Sequence, residues 1–91
     1  MVFRTLKGCR RSGSEQRYIW SVLEIWNTLP ESRREEIRSL IAQLSATPAE
    51  GRALYDVLVR RLSPQTVNFR TGVSVQRIYA LRRQFYERFR V

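Results

Sequence analysis

The side chains best suited to specific chemistry in this 91-residue chain lie between Gln76 and Arg83. A glutamine amide pairs bidentately with adenine, and an arginine fork pairs with guanine edges or phosphate oxygens. On a 100° wheel Gln76, Tyr79, Ala80 and Arg83 share one face with Gln84 and Glu87, and Arg77 lies on its flank. Gln76, Arg77, Tyr79, Ala80 and Arg83 are therefore the candidate base contacts. Arg70, Thr71 and Ser74 precede them, and Arg82 and Arg88 lie beside them, so these five are candidate phosphate contacts.

Other chemistries are poorly supplied. The chain has no His, one Cys and one Asp, Asp56. That removes His-based acid-base catalysis, Ser-His-Asp and Cys-His nucleophiles, and ordinary zinc ligation. There is no glycine-rich phosphate loop. The acidic run Glu31, Glu35 and Glu36 is interleaved with Arg33, Arg34 and Arg38, whose spacing favours surface ion pairs over a metal-binding carboxylate cluster. We therefore expect no enzyme activity, no catalytic residue, no metal and no cofactor. Cys9 cannot pair within the chain and suits a reducing compartment.

Backbone chemistry indicates how the candidate contacts are presented. Pro64 ends any preceding helix and suits the first turn of a new one capped by Ser63. Gly72 can take the positive φ that ends that helix. Ser74 can cap the next segment, which runs free of Gly and Pro to Val91. Val67, Val73, Ile78, Leu81 and Phe85 supply the inner apolar positions, with Ile78, Phe85 and Phe89 as the buried stripe. The spacing predicts a helix-turn-helix over residues 63–90, with helix 74–90 outward on its polar side.

The stretch TVNFRTGVSVQRIYALRRQF, with its G-V-S turn and I-Y-x-L-R-R run, resembles the helix-turn-helix of sigma-factor region 4. It is more closely similar to small phage late-transcription regulators of the ArpU/RinA type. The resemblance spans about the last forty residues, from Tyr55 onward. Asn68 and Thr71 depart from it, standing where such motifs usually carry a small apolar residue and a leucine. The resemblance implies a sequence-specific regulator bound to double-stranded DNA, with RNA polymerase as a further partner.

Charge points the same way. Seventeen basic residues face eight acidic ones, and all the basic residues but Lys7 are Arg. Residues 1–14 carry +4, residues 15–62 sum to zero and residues 63–91 carry +5. A solubilising surface would mix the signs evenly, so basic ends on a neutral middle suggest a polyanionic partner. The Gly/Ser-containing segment 1–14 reads as a flexible tail, whose Arg4, Arg10 and Arg11 would lie along phosphates or in the minor groove.

The remaining residues supply a support, expected as one helical domain over 15–91. EQRYIWSVLEIWNTL has helical period with a wide apolar arc around Ile19, Leu23 and Trp26. Its flanking Trp20, together with Trp26, is a candidate protein-interface anchor, and the arc permits a homodimer. Thr28-Leu29-Pro30-Glu31 reads as a capping box opening the next helix, with Ile37, Leu40, Ile41 and Leu44 inward. Thr47-Pro48-Ala49-Glu50 opens another up to Leu62. No segment alternates as a strand does, so the expected fold is all-α, a small bundle of about five helices. No apolar stretch approaches a membrane span and the N-terminus lacks a secretory core, so a cytoplasmic protein of a bacterial cell or phage-infected host is expected. Two alternatives stay open: a protein-binding phage factor that engages host RNA polymerase, and a small-terminase-like DNA-packaging subunit.

Overall fold

Helix starts in this chain are written locally, in hydroxyl caps and prolines, whereas helix ends depend on what the chain must do next. The computed structural model describes residues 3–90, in the order α1 (Gly13–Glu24), a short 3-10 turn (Trp26–Thr28), α2 (Glu31–Leu44), α3 (Pro48–Leu58), α4 (Pro64–Thr71) and α5 (Val75–Arg88). The fold is an all-helical bundle of five α-helices, with no strand among the described residues.

Four starts carry hydroxyl caps. Ser12 and Glu15 form a reciprocal capping box on α1. Thr47, Ser63 and Ser74 accept from the backbone N–H of Glu50, Thr66 and Arg77 at α3, α4 and α5. Each cap contributes about 1 kcal/mol by satisfying a donor that the helix leaves open. The start of α2 differs from expectation. Pro30 itself occupies the cap position without a side-chain bond. The Thr28 hydroxyl is spent instead as a donor to the Ile25 carbonyl at 2.9 Å. The reason lies upstream: Leu29 precedes proline and is held extended, so the chain leaves α1 at Glu24 and tightens into the 3-10 turn before Pro30.

The third helix also stops early, at Leu58 rather than Leu62. Arg61 takes a left-handed φ of 60°, which no helix continues through. Leu62 N–H then returns to the Asp56 carbonyl at 3.1 Å.

Helix α5 packs against α2, α3 and α4. Ile78, Leu81, Phe85, Tyr86 and the following Phe89 are buried, facing Ile37 and Ile41 of α2, Leu54, Val57 and Leu58 of α3 and Val67 of α4 within one core. Ile19 and Leu23 bring α1 into the same core. Burying a side chain of this size contributes roughly 1.5–3 kcal/mol, so the core holds the α4–α5 pair on the other three helices. Tyr86 had no assigned inward role in the sequence, yet it is 4 % exposed. Burial raises its phenol above the usual tyrosine range.

The N-terminal segment, expected as a flexible basic tail, packs along the bundle in residues 3–12. The buried Gln16 amide ties them down, its Oε1 accepting from Leu6 N–H at 2.8 Å and its Nε2 donating to the Arg11 carbonyl at 2.9 Å. Arg11 donates through Nε to the Tyr86 carbonyl at 3.1 Å and through Nη2 to the Glu87 carbonyl at 3.3 Å and to the Phe89 carbonyl. These carbonyls end α5, where a cation is favoured by the helix dipole. Arg11 therefore caps the last helix from the far end of the sequence.

Candidate nucleic-acid interface

The α4–α5 turn is fixed by the two residues that depart from the usual pattern. Gly72 takes φ 79°, and its N–H donates to the Asn68 carbonyl. The Asn68 Nδ2 donates to the Val73 carbonyl at 2.7 Å. The Thr71 hydroxyl donates to the Val67 carbonyl at 2.8 Å and accepts from Val73 N–H at 3.3 Å. A turn of three residues leaves several backbone groups without helical partners, and these polar side chains satisfy them. Apolar residues in their place would pack but could not bond.

A second clamp sets the start of α5 against α3. Arg77 Nε and Nη2 each lie 3.0 Å from a Glu50 carboxylate oxygen, a bidentate fork. Glu50 Oε1 also accepts from Ala46 N–H at 2.9 Å. Hydrogen bonding from Arg77, then from Ala46 N–H, holds the Glu50 carboxyl below the usual carboxylate range, while Glu50 raises Arg77. Arg77 was expected on a base edge. Its fork is instead taken by Glu50, whose part the sequence did not reveal because the two residues are 27 apart.

The other candidate base contacts share the outer side of α5. Gln76 is exposed, Tyr79 is 44 % exposed, and Ala80 and Arg83 are half-buried. Arg83 has no hydrogen bond or ion pair among the described residues, and its side chain passes over Gly8. The N-terminal segment continues along the end of the helix, where Arg10 N–H donates to Glu87 Oε2 at 3.1 Å. The first turns of α5 remain open and its last turns are partly covered.

The candidate phosphate contacts divide. Arg70, Ser74 and Arg88 are exposed, and so are Arg4 and Arg10. Thr71 is committed to the turn and Arg11 to the α5 carbonyls. Arg82 lies with its guanidinium carbon 5.2 Å from the Tyr79 ring centroid, and burial lowers its pKa from the ordinary arginine value. Its Nε is buried without a hydrogen-bond partner. Trp20 and Trp26 are both half-buried and occupied within the chain. The Arg61 guanidinium lies 4.2 Å over Trp20 and donates to the Trp20 carbonyl at 2.6 Å. The Tyr55 ring meets Trp26 edge-on and Arg38 stacks over it at 5.7 Å.

No family model matches this chain, and neither a curated protein nor a solved structure matches it. Among the described residues no helix is long and apolar enough to cross a membrane. The site offers an amide, a phenol and an arginine on an exposed helix face, flanked by guanidinium groups. The capped turn and the Glu50–Arg77 fork hold that face in place.

Proposed function

We propose that the protein is a sequence-specific double-stranded DNA-binding regulator that inserts the first turns of α5 into the major groove. One observation carries this reading. The outward face from Gln76 to Arg83 bears donors and acceptors but no carboxylate, and the turn before it is fixed by Asn68 and Thr71. Gln76 and Arg83 are assigned to base edges, with Tyr79 and Ala80 between them. Arg70, Ser74 and Arg88 are assigned to phosphates, and Arg4 and Arg10 reach the duplex from the N-terminal segment packed beside α5. Arg77 is assigned to orienting α5 through Glu50. The likeness of its closing segment to phage late-transcription regulators supports transcription as the process.

Selection of bound sequences from a random duplex pool tests the proposal. Enrichment that Arg83→Ala relaxes at one position, while Arg70→Ala weakens all sequences alike with a shallower salt slope, is the expected result. No enrichment, or enrichment indifferent to both changes, overturns it.

One observation favours a protein contact as well. Phe69 on the outer side of α4 is 90 % exposed, and a single aromatic ring in water is a candidate anchor for a protein partner. RNA polymerase is the partner that the sigma-like resemblance suggests. Phe69→Ala should then leave duplex affinity unchanged and abolish co-purification with polymerase after nuclease treatment.

A further inference from the structure

Beside the outer face of α5, and partly behind it, lies a groove of about 810 Å³ between the N-terminal segment, the end of α3, the start of α4 and the inner flank of α5. Arg4, Lys7, Arg61, Arg82 and Arg83 line it, and no carboxylate does. Glu24 acts on Arg61 from outside that lining. None of the five cations forms an ion pair in the described residues.

This arrangement is electrostatically unfavourable for the chain by itself. Like charges converge in a partly desolvated space where water screens them less than at an open surface. Burial already lowers the pKa of both Arg61 and Arg82. Arg61 is also held in the left-handed region, which a residue with a side chain rarely adopts, and its guanidinium lies over Trp20 at the groove wall. Backbone strain, half-buried cations that form no ion pair among the described residues and an aromatic wall meet at one place. Elsewhere on the molecule Arg11, Arg33, Arg34, Arg38, Arg60 and Arg77 are each paired with a carboxylate. The arginines outside the groove without an ion pair among the described residues, Arg10, Arg17, Arg52, Arg70, Arg88 and Arg90, are all exposed to water, unlike the half-buried Arg61, Arg82 and Arg83.

We propose that this groove is a binding site for a phosphate ester, with Arg82, Arg61 and Lys7 around the phosphate and Trp20 and Tyr79 as its aromatic walls. Guanidinium groups match phosphate oxygens bidentately, and an anion with two charges offsets the mutual repulsion of the cluster. The volume exceeds that of a bare ion and suits a mononucleotide or a short stretch of sugar-phosphate backbone. The site does not rest on the major-groove assignment of α5, because its lining carries the charge whatever the outer face contacts.

The experiment uses the full chain with Trp26→Phe, which leaves Trp20 at the groove wall as the one tryptophan. Titration with inorganic phosphate and then with adenosine monophosphate should change Trp20 emission saturably, the nucleotide binding more tightly. The Nε–H resonances of Arg61 and Arg82 should move in parallel. Lys7→Gln, which removes no side-chain hydrogen bond among the described residues, and Arg82→Gln should each weaken the nucleotide by about tenfold, the scale of one charge-assisted contact. Arg52→Gln, exposed and outside the groove, should leave it unchanged. A random duplex that displaces the nucleotide assigns the phosphate to DNA, and a nucleotide signal that persists beside bound duplex assigns it to a free ester; either supports the site. Saturable binding without any duplex affinity supports it too, while removing the major-groove assignment. An unsaturable response, or one that Lys7→Gln and Arg82→Gln leave intact, overturns it even if duplex binding is normal.

Discussion

The outer surface of α2 and the groove beside α5 use the same residue type to opposite ends. On α2, Glu31 is bonded by Arg34 at 2.9 Å and Arg38 at 2.6 Å, and Arg33 pairs with Glu36 at 3.3 Å. Hydrogen bonding from Arg38 holds the Glu31 carboxyl below its ordinary range. Around the groove, five cations form no ion pair among the described residues and no carboxylate lines the wall. Arg34 and Arg82 each bury an unpartnered Nε, but the Arg34 guanidinium also pairs with Glu31, whereas the Arg82 side chain makes no hydrogen bond among the described residues. The neutral middle and basic ends of the sequence thus become two surfaces, one discharged by its own helix and one left charged where the two ends of the chain meet. Arginine count alone does not set the charge of a surface; the presence or absence of a nearby acid does.

The contrast can be broken first at the residue that brings the ends together. Arg11→Ala removes the donor to the last carbonyls of α5 and should cost about 2 kcal/mol, as expected for charge-assisted bonds in a partly buried setting. Urea denaturation would read that loss. Hydrogen exchange at the Leu6 amide should show residues 3–10 released. An unchanged Leu6 amide would mean that Gln16 alone holds the segment. Arg11→Lys should restore only part, because one ammonium cannot span several carbonyls as a planar fork does.

Next in size is Arg83→Ala, expected to lose about 1–3 kcal/mol of discrimination at one base pair with little change in melting temperature. Competition binding with point-substituted duplexes measures it, and a uniform loss across all of them would move Arg83 from base to backbone contact.

A smaller effect is expected at Glu50→Gln, which frees Arg77. A partly exposed pair of this kind contributes about 0.2–1 kcal/mol. Since the folded-state pKa of Glu50 is depressed, its contribution is present above the ordinary carboxylate value and is lost as pH falls through the depressed one. Thermal melts across that acidic range should therefore show a step in the wild type that Glu50→Gln lacks. Glu31→Gln should do least of all. Its pairs are exposed and screened, so no measurable shift in the melting midpoint and no change in duplex affinity are expected.

Much of the architecture was legible because its signals are short-range. Ser63-Pro64, Gly72 and Ser74 mark a stop, a turn and a start within a dozen residues, and each acts on its own backbone. The inward placement of Ile78, Leu81 and Phe85 follows from helical periodicity alone. Helix ends were less legible. The chain could have stayed helical beyond Leu58, but Arg61 takes up left-handed geometry beside Trp20, a contact across 41 residues. Asn68 and Thr71 looked out of place only because the carbonyls they satisfy exist once the turn has formed. Arg11 and Arg77 had the composition and position of ligand contacts, and nothing local told of the α5 carbonyls or of Glu50.

The sequence by itself determined the all-helical class, the three proline-marked starts, the glycine turn and the polar outer face of the last helix, since propensity, capping and periodicity act between neighbours. Only the tertiary structure decided which arginines are free. Whether a guanidinium is occupied depends on the nearest carboxylate or carbonyl in space: the α5 carbonyls that bind Arg11 and the Glu50 carboxylate that pairs with Arg77 come from remote parts of the chain, while Arg82 forms no ion pair among the described residues and the N-terminal segment and the end of α3 add further cations to its groove.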